Sequence, residues 1–249
     1  MELVILGAGT AIPTPYRSAA GVLVRVGEIP LLFDMGPGTL ARLALAGVSY
    51  RDLEYVFLTH LHPDHTLDLV TFLQVNDSTP EWTRTQSVHL TGCYGTKEFY
   101  TRLLEVYPGI APRSYPLDIR ELAQERIMFD HWTIETVLTG HTNTSIGYRV
   151  EAENKVVVYS GDAVAKPELE HLARDADVFV CECAFPRGYP TDDHMTADAV
   201  GRIACTAKVK HVVLTHLYPP TLAMDIATQV RTEYVGEISI AIDGLRRIV

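Results

Sequence analysis

Thr59-His60-Leu61-His62-Pro63-Asp64-His65 places three of the chain's ten histidines and one carboxylate within six residues. The run before it, Tyr55-Val56-Phe57-Leu58, is apolar and β-prone, which predicts a buried strand. After it, Leu67, Leu69, Val70, Leu73 and Val75 recur at the spacing of an amphipathic helix. The cluster therefore lies where a strand gives way to a helix. Imidazole and carboxylate together suit a borderline divalent cation, zinc first, with manganese or iron also compatible. His60 and His62 alternate along an extended turn and can reach one ion. Asp64 and His65 then turn toward a second point. Four donors this close crowd a single ion, which points to two. The plain alternative, a solvated polar turn, leaves the ligand spacing without a reason.

Working outward, the segment 56–63 has an echo at 212–219. Val-Phe-Leu-Thr-His-Leu-His-Pro and Val-Val-Leu-Thr-His-Leu-Tyr-Pro agree at six of eight positions. Each is an apolar strand that delivers a histidine at its carboxyl end. Two such units related by a pseudo-twofold would bring His60 and His216 to one crevice from two sheets. Two further polar signals stand at strand exits: His141 after the run ending at Leu138, and Asp162 after Val156-Val157-Val158-Tyr159. Alone, the first would be an ordinary surface histidine and the second a turn former. Jointly with the first cluster they suit a catalytic metal, because ligands at strand ends are held rigidly yet open to a crevice.

The remaining pattern is that of one compact α/β domain spanning residues 1–249, with no linker or low-complexity tract. Strands are expected at 3–6, 87–91, 178–183, 212–214, 238–242 and 246–249, with one or two within 127–138. Hairpins are expected over 21–34 and 146–159. Helices are expected at 40–46, 94–107, 166–174, 196–207 (with Thr196 as its cap) and 222–234. Residues 76–86 and 110–116 read as irregular. Gly7-Ala8-Gly9 has only part of a dinucleotide loop and reads as a tight strand exit. Cys181 and Cys183, two apart on an expected strand, are assigned to opposite faces. Neither a disulfide framework nor a zinc knuckle is supported by the four scattered cysteines.

Composition narrows the function. A 47% hydrophobic chain of 249 residues can bury a sizeable core. No apolar run approaches the ~18 residues of a membrane span, and Met1–Leu6 has no basic lead or cleavage site, so a cytoplasmic protein is expected. The net charge of −10 and the pI near 5.4 disfavour a stable nucleic-acid complex. A small anionic substrate is still compatible, since two bound divalent cations would dominate the local field.

Taken in order, Thr59-His60-x-His62-x-Asp64-His65, His141, Asp162 and His216 resemble the metallo-β-lactamase superfamily, and within it the ribonuclease Z-like branch. Leu6-Gly7-x-Gly9-Thr10, Pro13, Arg17 and Phe33-Asp34-x-Gly36 extend the resemblance toward the start of the chain. Glu182-x-x-Phe185 and His194-x-Thr196-Ala197 extend it toward the end. It covers nearly the whole chain and implies a four-layer αββα sandwich with two divalent metal ions at the sheet edges. By that resemblance His60, His62 and His141 hold one ion, Asp64, His65 and His216 the other, and Asp162 bridges them. Asp64, His194 and Glu182 are the residues expected in catalysis: a hydroxide between the ions attacks, His194 protonates the leaving oxygen, and Glu182 orients that ring. Related enzymes are often dimers, so a homodimer is compatible.

The chain also departs from ribonuclease Z. His141 and Asp162 are only 21 positions apart, so the long basic arm by which ribonuclease Z grips transfer RNA is missing. Arg17-Ser18 stands where that enzyme has Arg-Asn, and no cysteine precedes Cys93. The expected activity is therefore hydrolysis of a small phosphodiester, of cyclic or nucleotide type. A lactone, thioester or aryl sulfate is the alternative substrate. Transfer-RNA 3′ processing and a non-catalytic metal-binding role rank below these.

Overall fold

The computed structural model describes Met1–Val249. Strands β1 (Glu2–Gly7), β2 (Gly21–Val26) and β3 (Ile29–Phe33) form an antiparallel meander. Helix α1 (Thr39–Leu45) leads to β4 (Tyr55–Leu58), which runs parallel to β3. Helices α2 (Pro63–Thr66) and α3 (Asp68–Ser78) lead to β5 (Val88–Cys93), and α4 (Thr96–Val106) to β6 (Leu117–Leu122). A second series follows: β7 (Arg126–Met128), β8 (Thr133–Leu138), β9 (Ile146–Ala152) and β10 (Lys155–Tyr159). After it come α5 (Pro167–Leu172), β11 (Val178–Glu182), α6 (Ala197–Thr206) and β12 (His211–Thr215). The chain ends with α7 (Pro219–Leu222), α8 (Ile226–Arg231), β13 (Glu237–Ile240) and β14 (Arg246–Ile248).

Two seven-stranded sheets result, in the orders β14-β1-β2-β3-β4-β5-β6 and β13-β12-β11-β10-β9-β8-β7. Inner strands such as β1, β3, β4, β11 and β12 are buried on both faces, so they read as unbroken apolar runs rather than as alternation. Leu3, Ile5, Phe33 and Phe57 of the first sheet pack against Tyr148, Val157, Tyr159 and Val180 of the second. Val4, Leu6, Val56 and Leu58 point the other way, onto Leu43, Leu69, Phe72 and Leu73 of α1 and α3. Phe179, Cys181 and Leu214 likewise meet Leu169, Leu172, Val200, Ile203 and Val230 of α5, α6 and α8. Three apolar layers between four structural layers make the αββα sandwich.

The structure corrects several expectations. The sheets do repeat one plan, a meander followed by parallel strands, but β4 corresponds in that plan to β11, and β12 to β5. The echo is therefore local, a repeated strand–turn–helix, and does not mark pseudo-twofold counterparts. Cys181 and Cys183 share the outer face, since side chains two apart on a strand point the same way; both are buried free thiols. The helix expected over 222–234 is only Ile226–Arg231: α7 ends at Leu222, and Asp225 restarts the chain as the cap of α8 by accepting from the Thr228 amide at 3.1 Å. Thr196 occupies the cap position of α6, but its hydroxyl donates to Asp198 instead of accepting from the backbone. Strand β6 was not expected; Leu117 and Ile119 alternate with exposed Asp118 and Arg120 on a sheet edge, a short and weak period-two signal. Gly7 and Gly9 serve packing: a Cβ at Gly7 would lie 1.8 Å from the Ala19 carbonyl oxygen.

Candidate metal centre

Each ligand candidate leaves the carboxyl end of a strand or the turn just after it. His60 follows β4, His141 follows β8, Asp162 follows β10 and His216 follows β12. His62 is the residue before α2, and Asp64 and His65 lie in its single turn, which Pro63 opens at N1. The sheets are joined at this end: the Tyr148 hydroxyl donates to the Leu58 carbonyl at 2.8 Å, and the Ile146 amide to the Thr59 carbonyl at 2.9 Å. Gly161 permits the approach, with φ +56° and space so tight that a Cβ would lie 2.6 Å from Thr59 Cβ.

The donor atoms gather into two groups. Those of His60, His62, His141 and Asp162 lie within 4.8 Å of one another, as do those of Asp64, His65 and His216. Asp162 faces both: Oδ2 is 3.8 Å from His60 Nε2 and 3.7 Å from His141 Nε2, while Oδ1 is 3.4 Å from Nε2 of both His65 and His216. All seven residues named from the sequence thus meet in one crevice, which opens to solvent beside His62.

Neighbouring groups set the imidazole tautomers. The Asp34 carboxylate accepts from the Thr59 amide, the Thr59 hydroxyl, the Tyr159 hydroxyl and, at 2.7 Å, His65 Nδ1. With its own proton given to Asp34, the Thr59 oxygen is free to accept from His60 Nδ1 at 3.0 Å. The Asp193 carbonyl accepts from His141 Nδ1 at 2.7 Å. In all three rings the proton sits on Nδ1, so Nε2 presents a lone pair to the crevice. Nε2 of His60 and of His65 and Oδ1 of Asp162 are buried without a hydrogen-bond partner. Buried polar atoms are normally paired, so lone pairs converging unpaired on one crevice fit a divalent cation. The roles of Asp34, Thr59 and Asp193 were not evident from sequence. Asp34 was visible as a strand end and as part of the Phe33-Asp34-x-Gly36 resemblance, with no role attached, and its left-handed φ of 58° is a structural fact.

The crevice electrostatics are those of crowded carboxylates and imidazoles, in which His65 without an ion favours a second proton on Nε2, the position an ion would compete for. Burial would raise the Asp162 carboxyl, but the imidazoles of His216, His65 and His60 hold it well below the ordinary carboxylate range. Burial pushes His60 well below its ordinary value. It acts the same way on His65, where Asp162 and Asp34 outweigh it and lift the ring well above. Strong perturbations in opposite directions within one cleft mark a functional site.

His194 and Glu182 stand at the rim. Glu182 is fully buried; its Oε1 accepts from the Ala163 amide and from His194 Nδ1 at 2.9 Å, and its Oε2 from the amides of Ala184 and Met195. Burial opposes the charged ring of His194, yet the hydrogen bond and charge of Glu182 raise it to about 9. The His194 ring centroid lies 4.7 Å from that of His141 and 5.6 Å from that of His216. Two cavities flank the crevice. One, of about 350 Å³, lies on the Asp64 side among Thr10, Arg17, Pro37, Pro63 and Leu67. The other, of about 430 Å³, lies on the His194 side among Tyr189, Thr191, Asp192 and Asp198.

An αββα sandwich with histidines and aspartates converging at its strand ends defines a metal-dependent hydrolase of the β-lactamase type. The metallo-beta-lactamase superfamily model matches residues 15–205, and the chain belongs to that superfamily. It is 30% identical to a ribonuclease Z of Mycobacterium bovis over 98% of this chain and 96% of that one. It is 29% identical to an uncharacterised protein of Mycobacterium leprae over 98% of this chain and 87% of that one. The same fold is found in the metallo-beta-lactamase fold protein YhfI of Bacillus subtilis (TM-score 0.86, 22% identity, 99% and 98% of the two chains). Short-form human tRNase Z also shares it (TM-score 0.81, 21% identity, 100% and 99%), as does a diphosphatase from the PhnP family (TM-score 0.77, 21% identity, 100% and 97%).

Proposed function

We propose that this protein is a dinuclear phosphodiesterase acting on small phosphodiesters of cyclic or nucleotide type. The observation that carries this reading is the joint placement of two candidate ligand groups that Asp162 faces on both sides and, at their rim, a histidine hydrogen-bonded to the buried Glu182 carboxylate. His60, His62 and His141 would hold one ion, Asp64, His65 and His216 the other, and Asp162 both; zinc suits the donor set, and manganese or iron is compatible. Divalent ions held there would supply Lewis acidity, lower the pKa of water in reach and, by outweighing the carboxylates of Asp64 and Asp162, make the crevice attractive to a small anion despite the chain's net charge of −10.

The chain's own residues supply the rest. Asp34, Thr59 and the Asp193 carbonyl keep three imidazoles aimed. With Nδ1 committed to Glu182, His194 carries its transferable proton on Nε2, the proton an alkoxide leaving group needs. Glu182, held by three backbone amides, stabilises the imidazolium without moving. The leaving group would lie in the His194-side cavity and the retained ester group in the Asp64-side one.

Transfer-RNA maturation, suggested by the names of some relatives, fits less well: residues 146–159 are one short hairpin, and the net charge is −10. A lactone or thioester is the second reading, favoured by Ala11, Pro13, Pro37 and Leu67 lining the Asp64-side cavity, a surface suited to an acyl chain. A panel of bis-p-nitrophenyl phosphate, cyclic nucleotides, lactones and thioesters, run with zinc or manganese beside Asp162→Ala, decides between them. Turnover of diesters by the parent alone is expected. Metal-dependent turnover confined to carboxylic esters would contradict the proposal.

A further inference from the structure

Tyr218 lies two residues after His216, as His62 lies two after His60. The local backbones match: His62 precedes α2 with φ −67° and ψ 149°, Tyr218 precedes α7 with φ −75° and ψ 161°, and a proline opens each helix. In the first turn this position sends a ring into the crevice. In the second it does the same: the Tyr218 centroid is 5.5 Å from that of His216 and 5.6 Å from that of His194. Phe185 stacks on Tyr218 at 5.3 Å, and Tyr189 stacks on Phe185 at 4.3 Å, so the ring is backed by an aromatic wall. The side chain is half-buried, and no protein group hydrogen-bonds its hydroxyl. A neutral phenol is a donor, and one held rigidly without a partner beside a charge-handling crevice is placed to meet a ligand oxygen.

We infer that Tyr218 is a catalytic residue whose hydroxyl donates a hydrogen bond to a non-bridging oxygen of the phosphoryl group bound at the centre. The inference rests on the phosphodiesterase reading for its substrate class. Tyr218→Phe keeps the ring and its stacking on Phe185 and removes only the donor.

The full chain, reconstituted with zinc or manganese, is compared with Tyr218→Phe in four measurements: metal per chain, thermal midpoint, affinity for inorganic phosphate by calorimetry, and kcat/KM on a diester. Metal content and midpoint are expected to be unchanged. Phosphate binding should weaken about tenfold and kcat/KM should fall about 10- to 100-fold, the range for a lost hydrogen bond to a charged group. A variant that binds phosphate as tightly as the parent, or that loses an ion, overturns the assignment. So does a parent that binds no phosphate. If the parent cleaves no diester but binds phosphate, and the variant binds it more weakly, the diesterase reading fails and the role of Tyr218 stands. If the parent cleaves diesters and the variant matches it, the reverse holds.

Discussion

Asp34 binds nothing in the crevice directly, yet it fixes His65, and through Thr59 it fixes His60. Loss of such a supporting carboxylate costs about 10- to 100-fold in metal affinity, so Asp34→Ala should weaken zinc binding by that factor in a competition titration while removing none of the seven candidate ligands. His194 makes a different prediction. His194→Ala should slow cleavage of an alkyl ester by about 10²- to 10⁴-fold, and of a p-nitrophenyl ester far less, because a good leaving group needs no proton. Its pH dependence has a definite sign. The acting form is protonated, so rate is lost as pH rises through the pKa of His194, which Glu182 raises. Glu182→Gln removes that charge, so the alkaline limb of kcat/KM should begin at lower pH than in the parent. An unmoved limb would remove His194 as the acid.

At the scale of elements, the strands and the turn they carry were legible because burial on both faces leaves continuous apolar runs that few other structures produce. Strand β6 and the break between α7 and α8 were not, since one is an amphipathic edge and the other depends on a single capping carboxylate. Arg84 was illegible for another reason. In the polar stretch 76–86 it looks like a solvated side chain, but it is wholly buried and donates to the carbonyls of Tyr50, Arg51, Leu53, Gln86 and Ser87 and to Asn76 Oδ1. It ties the approach to β4, the end of α3 and the start of β5 into one unit. Arg84→Met leaves several buried carbonyls without donors, each costing about 1–3 kcal/mol. Chemical denaturation should show a loss on the order of 3 kcal/mol or more; a loss below 1 kcal/mol would mean that water replaces the guanidinium.

Across the whole molecule, the two sheets present strand ends to one crevice, His60 and His65 from the first half of the chain and His141, Asp162 and His216 from the second. The candidate positions were legible in the sequence from the His-x-His-x-Asp-His cluster, from the strand exits at His141, Asp162 and His216, and from the family resemblance; which atoms face one another was not, because that depends on how two sheets pack. Ions bound across this junction should stabilise the fold, by about 4 kcal/mol at a thousandfold excess over Kd, which for a chain of this size is roughly 10 °C in midpoint. Chelation should remove that increment from the parent and much less from Asp162→Ala. The most direct test is anomalous diffraction from crystals grown with zinc. Two peaks are predicted, one among His60, His62 and His141 and one among Asp64, His65 and His216, each within bonding distance of Asp162. A single peak, or ions bound without Asp162 or His216, would contradict the dinuclear centre.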